Sequence, residues 1–408
     1  MAKNSRALRG SKSPLDAARA YLHSKQKKVY ENARVRLSDE DLKESFPHLP
    51  SGCDVIDFLI GGDKNEFGVA PCPGFPRGRV AQIWGHESAG KTTVALTCCA
   101  SACEFIHHNG RPGSALYIDW ENDIVPWYAR ALGVPTSDES RFELLQPETL
   151  EDGIKFAMTY AAAGVDLIVF DSVGAAVPRR LAERDALDTA EQGKMMELQA
   201  IWSQELPNLK RVIAQTGTAV IGISQTRASM AKVGKQTKPQ GGNAWKFYSS
   251  VRMELRRVQN EKSKRFNALK HTAEERVVGG VIKAQLVKCK MSPNQGREEV
   301  FYIRWGEGID NVRTTLEVAR CHGIIKKSGS WLAWEDCPGG KFSTQGTEKF
   351  RQHLIDNPDK YDILHARVQP LLGQGLADEF EDEEVFDLDD VDGIGAILAG
   401  AAKEEGGE

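Results

Sequence analysis

The chain has 408 residues, with 53 Lys+Arg against 57 Asp+Glu and a formal net charge of −4. A hydrophobic fraction of 41% and a charged fraction of 27% exclude a fully disordered, collagen-like or membrane-embedded chain. The charge is uneven: from Asp378 onward 13 acids face one lysine, whereas residues 1–36 carry ten Lys/Arg and two acids. A basic arm and an acidic tail therefore flank a balanced middle, and a basic arm suits nucleic acid or an acidic protein surface.

No apolar run approaches the ~18–20 residues that cross a bilayer. MAKNSRALRG lacks an apolar signal core, so no export is expected and the expected location is the cytoplasm. The eight cysteines form no CxxC pair, which predicts reduced, buried thiols rather than zinc or disulfides.

In chain order, Ser13-Pro14-Leu15-Asp16 reads as a helix start, and Leu15, Ala18, Leu22, Val29 and Ala33 keep helical spacing to about residue 35. Ser38 with Asp41 marks a second, shorter helix start. From about residue 50 short apolar runs alternate with helical patterns. Arg79–Trp84 reads as a strand, 92–107 as a helix and Ser114–Asp119 as a strand. Pro126–Leu132 reads as a helix, Leu144 lies near a third strand, and Leu150–Ala163 is helical. Asp166–Phe170 and Ala219–Ser224 are further strands. That alternation predicts a buried, mostly parallel sheet covered on both faces, an α/β fold. Ser250–Val258, Val281–Lys290 and Glu299–Trp305 are expected as an antiparallel extension.

Residues 226–242 and 259–278 interrupt the pattern. The first, TRASMAKVGKQTKPQGG, has four basic residues and no acid, and a loop of that length is usually functional. Met195, Met196 and Trp202 lie on a helical pattern and are expected in the core. The anticipated domains are a basic helical arm (1–49), an α/β core (50–314), a small C-terminal domain (315–377) and an acidic tail (378–408). The tail, with its small apolar patch 394–398, is expected to compete with a nucleic acid for basic surfaces or to bind a partner.

Gly85-His86-Glu87-Ser88-Ala89-Gly90-Lys91-Thr92 matches GxxxxGK[ST] between a strand and a helix, with Thr93 following. Glycines allow a turn whose amides converge on phosphate oxygens, and the helix adds its positive end. Lys91 reaches the terminal phosphates and Thr92 offers a hydroxyl to Mg²⁺. Asp171 ends an apolar strand and is read as the acid on the Mg²⁺ side, with a helix cap as its bland alternative. Asp119 and Glu121 end another strand. Alternation would put both on one side, with Trp120 opposite, and either could serve as the base for water or as a cap. Gln225 ends the strand before the basic loop, where an amide could sense the γ-phosphate.

GHESAGKTT, LYIDWEN…PWYARALGV, LIVFDSVGAAVP, ISQTR and GGNAWKFYSSVRMELRR, followed by KCKMSP and YIRWGEGID, resemble the successive signatures of the RecA family of homologous-recombination ATPases. The similarity covers roughly residues 50–315 and weakens through 316–372. It implies a RecA-type P-loop core with a central twisted sheet, an N-terminal helical arm and a small α+β C-terminal domain. It further implies that Glu121 is the catalytic glutamate, that Tyr128 stacks on adenine, and that Gln225 senses the γ-phosphate. Lys288 and Lys290 would reach the nucleotide of a neighbouring subunit, and Phe247 would sit at that interface. Arg179–Asp188 and Thr226–Gly242 would be the two DNA-binding loops, placing Arg179, Arg180, Arg227, Met230, Lys232, Lys235, Lys238, Gly241, Gly242 and Asn243 at DNA.

The implied activity is DNA-dependent ATP hydrolysis, with ATP and Mg²⁺, by a head-to-tail helical filament on single-stranded DNA that pairs with homologous duplex. Accessory loaders or a single-strand-binding protein would assist it. Three departures stand out: Val125 replaces an acid near the adenine, Cys289 replaces an amide between the lysines, and the second loop lacks the family's bulky apolar pattern beyond Met230 and Val233. The competing readings are a ring-forming helicase on the same fold and a nucleotide-binding mediator without strand exchange.

Overall fold

The computed structural model describes residues 14–33, 43–183, 191–228, 237–267 and 272–380. The chain divides into two compact units at Glu44/Ser45. The first contains helix α1 (Pro14–Ala33), with proline at its first position as the sequence predicts and a kink at Gln26 (φ −139°). The Ser38/Asp41 helix start lies outside the described residues.

The second unit opens with strand β1 (His48–Leu49), helix α2 (Asp54–Gly61) and strand β2 (Phe75–Pro76). The nucleotide-fold elements follow: β3 (Val80–Gly85), α3 (Lys91–Glu104), β4 (Ala115–Asp119), α4 (Pro126–Ala131), β5 (Phe142–Leu145), α5 (Leu150–Ala163) and β6 (Leu167–Asp171). Then come α6 (Arg179–Ala182), α7 (Glu191–Thr216), β7 (Ala219–Ala228), β8 (Thr237–Pro239) and α8 (Asn243–Tyr248). Strands β9 (Val251–Asn267), β10 (Thr272–Cys289), β11 (Glu298–Arg304) and β12 (Gly308–Ile309) complete the main sheet. Its order is β12-β11-β10-β9-β3-β7-β6-β4-β5, with β8 paired to β7. The six strands from β9 to β5 run parallel, and β10, β11 and β12 add antiparallel neighbours.

Alternation along the strands divides the core. Ala115 and Tyr117 of β4 join a cluster with α2 and α3, whereas Leu116 and Ile118 join α5 and α7 on the other face. Burial on both faces explains why these strands read as continuous apolar runs. Five cysteines of the α2–α3 side, Cys53, Cys72, Cys98, Cys99 and Cys103, are buried there as free thiols. After β12, α9 (Asn311–Cys321) leads into a three-stranded antiparallel sheet of β13 (Lys326–Ser328), β14 (Trp331–Trp334) and β15 (Phe342–Gln345), then α10 (Thr347–Asp356) and α11 (Pro358–Val368).

Three expectations change. Residues 226–242 are not wholly loop: Thr226, Arg227 and Ala228 pair with Pro239, Lys238 and Thr237. Residues 259–278 do not interrupt the sheet: β9 and β10 pair out to Asn267 and Thr272 as a long ribbon. Polar residues such as Gln259, Asn260 and Lys262 give that ribbon no apolar alternation, so its pairing rests on backbone hydrogen bonds and leaves no periodic signal. Met196 is not core. It is 75% exposed, while Trp202 six residues on is fully buried, so the apolar face of α7 excludes Met196.

Candidate nucleotide and DNA site

The parallel strands bring their carboxyl ends to one edge, where ligands bind in open α/β sheets. Gly85 lies opposite Gln225, and Asp119 opposite Asp171. The turn after β3 leads into α3 through Gly90, whose φ of +80° puts it in the left-handed region. A side chain there would also meet Ile303 Cδ1 at 2.4 Å and push it aside, but it is the backbone angle that requires glycine. Ser88 adopts φ +57° in the same turn. Ala89 is buried, and Glu87 and Ser88 are exposed.

Lys91 is buried and its Nζ donates to His86 O at 2.6 Å. Burial pulls its ammonium below the usual lysine range, against the opposing pull of Asp171, Glu121 and Glu87. The Thr92 hydroxyl donates to Asp171 Oδ2 at 3.0 Å, and the fully buried Tyr117 hydroxyl donates to the same oxygen at 2.6 Å. Burial pushes the Asp171 carboxyl up to about 6, offset in part by these two donors.

A cation fits this pair. Mg²⁺ usually takes one or two protein oxygens and completes its shell with phosphate and water, and a buried carboxylate gains from a positive neighbour. Among the described residues no cluster of three or more His, Cys, Asp or Glu could hold a metal by itself.

The Asp119/Glu121 ambiguity separates geometrically. Strand β4 stops at Asp119, so alternation does not carry on to Glu121. Asp119 Oδ1 accepts the amides of Glu121 and Asn122, and Oδ2 accepts Gln146 Nε2 at 3.1 Å. Asp119 thus fastens the loop that carries Glu121. Trp120 turns the other way and stacks on Phe170, with Trp202 edge-on. Glu121 Oε1 accepts Gln225 Nε2 at 3.1 Å. Gln225 lies within β7, not in a solvated loop, and its carbonyl accepts the Gln240 amide at 2.9 Å. A Cβ added to Gly174, just past Asp171, would lie 2.4 Å from Gln240 Oε1. The segments leading to both expected DNA loops therefore pack together beside Glu121.

The Tyr128 hydroxyl shares a 2.8 Å hydrogen bond with Thr93 Oγ1, and burial raises its pKa. Val125 precedes α4 and is 46% exposed. A cavity of about 540 Å³ lies over the turn, lined by Ser88, Gly90, Lys91, Thr92, Thr93, Arg257, Val277 and Trp305. Sequence reasoning missed the last three, and missed Tyr117. An indole just past β11 and before Gly306 was the available signal for Trp305. Tyr117 was legible as the residue two before Asp119 on the same strand face.

Lys288 and Lys290 stand elsewhere. Lys288 is adjacent to Cys289, which pairs with Val251, and Val251 pairs with Ala81 near the start of β3. The two lysines thus lie at the opposite end of the sheet from the P-loop. Lys288 Nζ donates to the carbonyls of Lys246 and Phe247 at 2.9 and 3.3 Å. Burial lowers its pKa, and Lys290, Arg252, Lys210 and Lys246 lower it further. Phe247, 66% exposed, sits beside this crowd of cations.

In the first expected DNA loop, Arg179 pairs with Asp152 at 2.6 Å and Arg180 with Glu197 at 3.2 Å. In the second, Met230, Lys232 and Lys235 lie outside the described residues, and Arg227 and Lys238 face each other across the β7–β8 ladder. Gly241 and Gly242 lead into α8, which begins at Asn243. The tail beyond Phe380, including 394–398, is also outside them. No described helix is long and apolar enough to cross a membrane.

Residues 18–310 match the model of the RecA N-terminal domain. The chain is 36% identical over 374 residues to Protein RecA of Corynebacterium aurimucosum, covering 91% of this chain and 88% of that protein. It is 34% identical to Protein RecA of Bifidobacterium breve, covering 91% and 85% of the two chains. It is also 34% identical to Protein RecA of Lactobacillus johnsonii, covering 86% and 87%.

Proposed function

The chain belongs to the RecA family, and from that premise we propose that it is an ATP-dependent recombinase that polymerises on single-stranded DNA and pairs it with homologous duplex in recombination and repair. The observation that carries this reading is the position of Gln225, bonded through its side chain to Glu121 and through its backbone to Gln240. One residue thereby touches both the hydrolytic corner and the strand returning from the basic loop.

In this reading the P-loop amides and Lys91 hold the triphosphate, and Thr92 with Asp171 holds Mg²⁺. The ion supplies charge neutralisation on the phosphate oxygens. Glu121 orients the attacking water and accepts its proton. Tyr128, hydroxyl-bonded to Thr93, offers a ring face to the base, and Val125 leaves base selection without an acid.

Lys288 and Lys290 serve the nucleotide of the next protomer, which requires a head-to-tail contact; one that does not close generates a helical filament. The cations gathered around Lys288 support this, because their mutual repulsion is relieved by an incoming polyanion. Phe247 lies at the same contact. Arg179, Arg180, Arg227, Met230, Lys232, Lys235, Lys238, Gly241, Gly242 and Asn243 meet DNA, where phosphate contacts supply affinity and base pairing supplies sequence. Residues 1–49 act as the packing arm, 50–314 as the ATPase core, 315–377 as the small domain and 378–408 as the acidic regulator. The setting is the bacterial cytoplasm or that of a phage-infected host, where loaders and a single-strand-binding protein act alongside.

A joint-molecule assay tests the reading. A homologous single strand should invade supercoiled duplex in the presence of ATP, and a heterologous one should not. Pairing that ignores homology, or survives Lys91→Ala unchanged, would overturn it.

A further inference from the structure

Strand β9 carries a second cation into the nucleotide cavity. On one face it places Val251, Met253 and Leu255 in the core beneath α3. The next position in that row is Arg257, where an apolar residue would continue the pattern. Arg257 is only 6% exposed and lines the cavity over the P-loop together with Lys91 and Thr92.

Two backbone features place it. The β9–β10 register shifts between Val281 and Ile282, so that Val281 pairs with Gln259 and Ile282 with Arg257, leaving Val258 as an extra residue. Such a bulge bends a strand and re-aims its side chains. On the neighbouring strand, a Cβ on Gly280, which pairs with Asn260, would lie 3.1 Å from Arg257 Cδ, so the glycine makes room for the arginine stem. The cavity wall continues up the same ribbon to Val277 and reaches Trp305, whose amide donates to Val278 O at 2.9 Å.

We propose that Arg257 binds the α- and β-phosphates of the nucleotide held by its own protomer's P-loop. The sheet order decides which phosphates. Gln225 and Glu121 approach from β7 and β4 on one side of β3, whereas β9 flanks β3 on the other, away from the hydrolytic corner. A guanidinium presents a planar fork of donors suited to phosphate oxygens, and it carries its charge at every working pH. Arg257 thus complements Lys91 in cis, whereas Lys288 and Lys290 act in trans.

The proposal rests on the nucleotide-site reading above, and the test keeps the two apart. Binding of ADP and of a non-hydrolysable ATP analogue to the full chain, with Mg²⁺ and without DNA, is followed by calorimetry at several salt concentrations. Arg257→Gln should weaken both nucleotides by about tenfold and flatten the dependence of affinity on salt, and Arg257→Lys should recover part of both effects. Lost packing alone would not change the salt dependence. Wild-type affinity and salt dependence in Arg257→Gln, with binding lost in Lys91→Ala, would overturn the role of Arg257. Wild-type binding by Lys91→Ala would instead overturn the P-loop reading on which it rests.

Discussion

Mixing two silent variants, Lys91→Arg and Lys288→Ala/Lys290→Ala, separates a nucleotide held within one protomer from one held between two. Lys288 pairs with Arg252, and Arg252 with Gln82, three residues before the P-loop glycine Gly85. At about 3.3 Å per residue that is ~10 Å along the strand, before the turn adds its own height. Strand β10 runs antiparallel to β9, so Lys290 lies farther still from the P-loop. In the proposed reading, a lysine pair so placed serves another protomer's phosphate. Removing either set should cost ~10²-fold or more in turnover, as expected for cations aimed at developing charge. In a 1:1 head-to-tail co-polymer, a working junction needs an intact P-loop on one side and intact lysines on the other. Each condition is met half the time, so about a quarter of junctions are complete. Phosphate release on single-stranded DNA should therefore rise from near zero for each variant alone to about a quarter of the wild-type rate. A mixture as silent as its components would refute the shared site.

Two further outcomes follow from the hydrolytic corner. Glu121→Gln should lower ATP hydrolysis by ~10²–10⁴-fold while nucleotide and DNA remain bound, measured by phosphate release and by filter binding; undiminished hydrolysis would remove Glu121 from the chemistry. Asp171, raised by burial to about 6 from an ordinary 3.8, binds more protons in the folded than in the unfolded chain between those values. Its contribution is then fully present below about pH 4 and lost as pH rises to about 6, a cost of up to roughly 3 kcal/mol. Asp171→Asn should accordingly raise the melting temperature of the nucleotide-free protein at pH 7 and shrink the difference in melting temperature between pH 4 and pH 7. Equal melting of the two proteins at pH 7 would refute that cost.

The parts of the fold that sequence reveals are those where burial is one-sided or complete. The runs ending at Asp119, Asp171 and Ser224 are apolar because both sheet faces are covered, and Gly90 is required by its left-handed backbone angle. The β9–β10 ribbon was illegible because a polar two-stranded ribbon needs no alternation. Met196 was misread because helical spacing does not say how wide the buried face is. The roles of Asp119 and Glu121 are separated by backbone amides that turn onto Asp119, a contact with no residue-type signature. Arg257 was hidden for another reason: alternation gives its face of β9, but the room for its stem depends on Gly280 of the neighbouring strand and on the bulge at Val258, which leave no signal in the spacing.

Coupling between nucleotide and DNA loop needs no long relay here. Gln225 and Gln240 are joined by a backbone hydrogen bond, and the β7–β8 ladder begins one residue beyond each of them. In the proposed reading, a phosphate that draws the Gln225 amide from Glu121 would pull on both strands of the β7–β8 ladder at once. A ligand shifts such an equilibrium only by its differential interaction with the two states. One neutral or charge-assisted hydrogen bond exchanged for another provides about 1–2 kcal/mol, or roughly five- to thirty-fold in DNA affinity. Gln225→Leu keeps the approximate volume and removes the amide. The affinity for a labelled oligonucleotide should then differ little between the ADP and ATP-analogue states, whereas the wild type should show the larger ratio. A Gln225→Leu protein that preserves the wild-type ratio would place the coupling elsewhere, the close approach of Gln240 to Gly174 being another path among the described residues.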